Sequence, residues 1–281
     1  MTLRQAILAT LAYSDHFGFP LTLPELQTRL IQFPVTHPIL TRSLSALIQS
    51  GSIFFTRGYY HLPGRAKLVA QRLSRAKLSA PLIARAHNLA ASLSVVPGVL
   101  AIYLTGSLAM QNTPGDADID LMIITQPGHL WTTRLLLTPY THLHGLRRTP
   151  HSINNSGKLC LNLYLSPSSF CLPPPKRSLY SAYELIQAVP LYDPHNTHSA
   201  LLAANPWVKS YLPNYLLPKV SLLQNWNSAK LQNFWAPIES LAYHLQLAYM
   251  RPHLTREYIT PDSAFFHPHN PGEKILHKLS L

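Results

Sequence analysis

Leu104-Thr105-Gly106-Ser107-Leu108-Ala109, a polar loop through Gly115, then Asp118-Ile119-Asp120-Leu121-Met122-Ile123-Ile124 is the stretch on which the fold turns. Val99 to Thr105 is a β-branched and aromatic run that suits a buried strand. Gly106-Ser107 ends it with a tight turn, and Leu108-Ala109-Met110 opens a short helix. Residues 117–124 read as a second strand. Period-two alternation puts Asp116, Asp118 and Asp120 on one face and Ile119 and Leu121 on the other. A third strand is expected over Leu159–Leu165, after a basic loop carrying Arg147, Arg148 and Lys158.

Two carboxylates at i and i+2 on one strand face lie a few ångströms apart and repel, so one tends to protonate unless a cation intervenes. Hard oxygen ligands favour Mg²⁺. The concentration of acids is itself unusual. The 281-residue chain has eleven Asp and Glu, and three of them fall within five positions. A Gly-Ser turn at the end of the neighbouring strand lets backbone and hydroxyl approach a phosphate closely. Together these parts describe a site for a nucleoside triphosphate and two metal ions, suited to in-line displacement at phosphorus.

The arrangement resembles the signature of the DNA polymerase β-like nucleotidyltransferase superfamily: a hydrophobic strand, Gly-Ser, then Asp-hydrophobic-Asp on the next strand. The signature spans about residues 99–125, and the strand order around it extends the likeness to roughly 85–170. The whole chain also looks like bacterial proteins that join an N-terminal winged helix to such a domain. The resemblance implies a mixed sheet with helices on one side, and Mg²⁺-dependent transfer of a nucleotidyl group from an NTP to an acceptor hydroxyl. It implies that Gly106 and Ser107 hold the β- and γ-phosphates and that Asp118 and Asp120 ligate the metals. Asp116 is a further candidate ligand, and Lys158 is a candidate phosphate partner or a solvated loop lysine.

One departure from the family pattern stands out. Its catalytic members bring a third carboxylate from a later strand, whereas no Asp or Glu occurs here between Asp120 and Glu184. The expected strand offers Asn162, whose amide ligates weakly and accepts no proton as a general base. Asp116 can substitute, Glu184 or another acid can fold back into the site, or the protein binds a nucleotide without transferring it. The last is the alternative function: a degenerate nucleotide- or nucleic-acid-binding regulator.

Outward from this centre, residues 3–14 have helical spacing. Thr22 before Pro24-Glu25 reads as a helix cap, and Thr36 before Pro38 as another. Ser52–Thr56 and Tyr59–Leu62 around Arg57-Gly58 read as a hairpin. Three helices and a hairpin over residues 1–63 form a winged helix-turn-helix pattern, with residues 37–49 in the recognition position. Residues 64–95 read as a basic connecting helix with six cations and no acid, a candidate surface for nucleic-acid backbone. It opens the nucleotidyltransferase-type unit at 64–172. Pro173-Pro174-Pro175 marks the boundary to a helical region, 173–281, with helices over 178–189, 199–204 and 219–250 and an irregular tail. The fold class is α+β.

Composition narrows the rest. A formal charge of +12 favours polyanionic ligands such as NTPs or nucleic acid. Two cysteines, Cys160 and Cys171, build no disulfide framework, which points to a reducing, cytoplasmic protein. The N-terminus lacks a basic segment leading into an apolar one, so no signal peptide is expected. The uncharged stretch around 86–115 is interrupted by Pro97-Gly98 and reads as helix, turn and strand, with no membrane partner. Cys160 reads as a packed thiol, and neither His142/His144 nor His267/His269 has metal-ligand spacing.

Overall fold

A computed structural model describes residues 1–148, 155–219, 229–255 and 257–266. The N-terminal unit consists of α1 (Leu3–His16), α2 (Leu23–Thr28), α3 (His37–Gln49) and the hairpin β1 (Phe54–Thr56) and β2 (Tyr59–His61). Local chemistry sets the first two starts. Thr2 accepts from the Gln5 N–H while Gln5 reaches back to the Thr2 N–H, and Thr22 and Glu25 repeat the exchange. Thr36 stands at the N-cap of α3 without a side-chain cap bond, so Pro38 in the first turn carries that start. The hairpin turns at Arg57 and Gly58, both with positive φ, which a type I′ turn requires. Ile7, Leu11, Leu26, Leu40, Leu44 and Ile53 fill this unit's own core.

After α4 (Lys67–Leu93) the chain lays down β3 (Val99–Leu104), α5 (Gly106–Ala109), β4 (Ile119–Thr125), α6 (Leu130–Leu143) and β5 (Leu159–Leu165). There follow α7 (Leu179–Gln187), β6 (Val189–Tyr192), α8 (Thr197–Ala203), α9 (Val208–Tyr211), α10 (Ala229–Met250), β7 (Tyr258–Thr260) and β8 (Ser263–Phe265). Six strands form one mixed sheet in the order β6-β3-β4-β5-β8-β7, with β4 and β5 parallel and the other neighbours antiparallel. The architecture is α+β.

Two expectations change. Residues from 173 onward are not only helical: β6, β7 and β8 come from this region and build both edges of the sheet. Val189 and Pro190 begin a strand where helix 178–189 was expected to end. The periodicity of so short a run does not separate strand from helix, and pairing with β3 decides it. The sheet also carries helices on both faces, not one. Ala101, Tyr103, Met122 and Ile124 face a core shared with α7, α8 and α9. Ile102, Leu104, Leu121 and Ile123 face the other, built with α4 and α6. Alternation along β4 therefore puts Asp120 on the α7 side, with Met122 and Ile124.

The N-terminal unit is fastened to that same side. Tyr13 and Ile31 belong to the α7-side core, and Tyr13 stacks on Tyr183 with ring centres 4.4 Å apart. The Tyr183 hydroxyl donates to the Arg29 carbonyl, and Asn214 bridges the backbone of Phe33 and Val35. Among the described residues, no helix is long and apolar enough to cross a membrane.

Candidate functional site

The site forms where β3 ends and β4 begins. Gly106 has φ +66°, and a Cβ there would lie 2.7 Å from Asp120 Oδ2, so the turn needs glycine for its backbone conformation and for room. The Thr105 N–H donates to the Asp120 carbonyl at 3.0 Å, which ties the turn to β4. Asp118 and Asp120 each bring a carboxylate oxygen, and Cys160 its sulfur, to within 4.8 Å of one another. Arg148 Nη1 donates to Asp118 Oδ2 at 2.6 Å, and Asn162 Nδ2 donates to Asp120 at 2.9 Å.

Burial sets the electrostatics. It raises the Asp120 carboxyl to about 6, and the neighbouring Asp118 charge adds to this. Burial, then Asp120 and Asp118, push the Cys160 thiol up to about 12, so it stays protonated at neutral pH. A neutral, soft thiol is a poor ligand for Mg²⁺, whereas two carboxylates with solvent and phosphate oxygens suit it. Asn162 adds a second observation: its amide oxygen is buried and has no hydrogen-bond partner among the described residues. A hard cation held by Asp118 and Asp120 fits this donor set.

The other expected residues divide. Ser107 is exposed beside Gly106. Asp116 lies in the turn before β4, is exposed, and is absent from the cluster, because the strand that would align it begins only at Ile119. Lys158 donates to the Gly145 carbonyl, so its ammonium is engaged within the loop. Arg148, from the basic loop, is the cation that reaches the carboxylates. Glu184 does fold back. It sits on α7 and lines a cavity of about 310 Å³ together with Gly106 and Ser107. Burial, followed by the Asp120 charge, raises its carboxyl to about 7. No strand spacing signals this, because Glu184 comes from a helix beyond the proline break.

The basic stretch 64–95 is largely engaged inside the molecule. Arg65 pairs with Asp15 and Arg72 with Glu25, Arg75 bonds Asn112, and Arg85 bonds the Gly157 carbonyl. Lys67 and Lys77 are exposed. His142 ends α6, His144 follows it with Nδ1 on the Tyr140 carbonyl, and His267 and His269 lie outside the described residues. Comparisons with protein-family models, with curated proteins and with solved structures find no match for this chain.

Proposed function

We propose that the chain is a Mg²⁺-dependent nucleotidyltransferase of the DNA polymerase β-like kind, moving a nucleoside monophosphate from an NTP to an acceptor hydroxyl. The observation that carries this reading is the contact between Gly106 and Asp120. A phosphate seated on the Gly-Ser turn would stand beside Asp120 and its neighbour Asp118, the juxtaposition that in-line displacement requires. Magnesium, when bound, supplies positive charge to the phosphate oxygens and acidifies a coordinated hydroxyl. Asp118 and Asp120 would hold it, and the exposed Ser107 hydroxyl would donate to a phosphate oxygen. Arg148 stands beside Asp118 and balances charge that develops on the phosphates. Asn162 orients Asp120 through its amide nitrogen. The three N-terminal helices and hairpin fit a winged helix, here packed against the α7 face of the sheet.

Calorimetric titration of each NTP, with and without Mg²⁺, tests this on the wild-type protein and on Asp118→Asn/Asp120→Asn. Metal-dependent binding that the double variant loses supports the assignment; no binding of any NTP to the wild type overturns it. The Arg148–Asp118 ion pair favours a second reading, a degenerate nucleotide-binding regulator whose guanidinium takes the place of a metal. In that case NTP binding is independent of Mg²⁺ and survives Asp118→Asn.

A further inference from the structure

The cavity that Glu184 lines is a seam between the N-terminal unit and the sheet, and the proposed transfer makes no use of its walls. One end is the Gly106-Ser107 turn. On one side lie Tyr13 and Ser14 of α1, Phe17 at its C-cap and Phe19 from the turn that follows. Opposite, Tyr180, Glu184 and Gln187 fall at i, i+4 and i+7 along α7 and line the same space. Arg29 and Arg75 also line it, beside Met110, Asn112 and Tyr183. Neither arginine is ion-paired with Glu184 among the described residues: Arg29 donates to Met110 Sδ, and Arg75 to Asn112 at 3.3 Å. Aromatic walls with a few polar groups, at roughly 300 Å³, suit one planar ring system.

Resting on the nucleotide reading above, we infer that this cavity is a nucleobase subsite that selects guanine. The base continues from phosphates seated on Gly106-Ser107 and packs against the exposed ring of Phe17. Above about pH 7, where the Glu184 carboxyl is ionised, it only accepts hydrogen bonds and asks its ligand for a pair of donors. Guanine presents adjacent N1–H and N2–H donors, and on its other edge O6 and N7, the acceptors that arginine recognises best. Arg29 and Arg75 supply that second half. Adenine, cytosine and uracil each lack one of the two complements. Phe17 is more than a third exposed, so it is a wall that the N-terminal core does not need for its packing.

The test titrates GTP, ATP, CTP and UTP at pH 8 in the presence of Mg²⁺ against the wild type, Glu184→Gln and Phe17→Ala, with circular dichroism confirming the fold of each variant. GTP is expected to bind tightest. Glu184→Gln, which replaces one acceptor by a donor, should lower GTP affinity by about tenfold or more and leave ATP within about twofold. Phe17→Ala should weaken all four nucleotides by about tenfold through lost stacking. Equal affinity for the four, unchanged by Glu184→Gln but abolished in Asp118→Asn/Asp120→Asn, overturns the base subsite and leaves the nucleotide reading standing. Should no triphosphate bind, the nucleotide reading falls. Saturation-transfer NMR with free guanosine then decides the cavity by itself: a signal lost in Glu184→Gln supports it, and no signal with the wild type overturns it.

Discussion

At the scale of single residues, Asp120 controls how the molecule responds to pH. Its folded-state pKa of about 6 lies above the usual carboxylate value, as does that of Glu184 at about 7. Between the unfolded and folded pKa values the native state holds protons that the unfolded chain has released, so stability falls as pH rises. Without divalent metal, thermal unfolding is therefore expected to move to lower temperature from about pH 4 to about pH 7 and to level off above. Asp120→Asn should flatten the lower part of that slope and, at pH 8, raise metal-free stability by about 1 kcal/mol. Arg148 makes a separate contribution. It is half-exposed and competes with any cation for Asp118. Arg148→Met is expected to raise Mn²⁺ affinity about two- to fivefold in calorimetry, the scale of an exposed ion pair. The carboxylate pair and the Gly-Ser turn were legible in the sequence because strand alternation is local. Arg148 and Glu184 were not assignable, since nothing in residue spacing says which loop cation or which distant helical acid crosses to a given strand.

At the scale of elements, the joints that matter combine near and distant partners. The start of α6 is capped by Glu239 from α10, which accepts from the Trp131 N–H at 2.6 Å and the Thr132 N–H at 2.9 Å. Helix N-termini favour a carboxylate for their unpaired N–H groups and their dipole. Glu239→Ala should lower stability by about 1–2 kcal/mol, measured by urea unfolding, with no change in nucleotide binding. A cap from another helix leaves no signature near residue 130, whereas the cap at Thr22 is readable from Pro24-Glu25 just after it. Gly106→Ala is the harsher change: it strains a positive φ and drives a methyl onto Asp120. It is expected to abolish metal-dependent NTP binding, while Gly51→Ala, with open space around it, meets only the conformational penalty.

At the scale of the whole molecule, the N-terminal unit and the sheet share buried contacts that neither can keep alone. Tyr13 and Ile31 sit in the α7-side core, and the Gln32 N–H donates to the Tyr211 carbonyl at 2.7 Å. Calorimetric unfolding of the full chain is expected to show one cooperative transition, where weakly joined units would give two. The three helices and hairpin were visible in the sequence as a separate pattern. Their attachment was not, since Tyr13 lies on a helix whose periodicity explains only its own core. The three strands after residue 173 were missed for a related reason: runs of three or four residues acquire their conformation from the sheet they join. Those late strands also decide what the outside of the molecule offers to its neighbours in a crowded solution. The sheet's rims are β6, which carries Pro190, and β7, only three residues long. A rim that carries a proline or is that short gives a stray chain little to template upon. The same residues that complete the sheet thereby guard it against fibrous growth, and Pro190→Thr, which removes the edge proline, is expected to expose that liability as faster aggregation followed by light scattering.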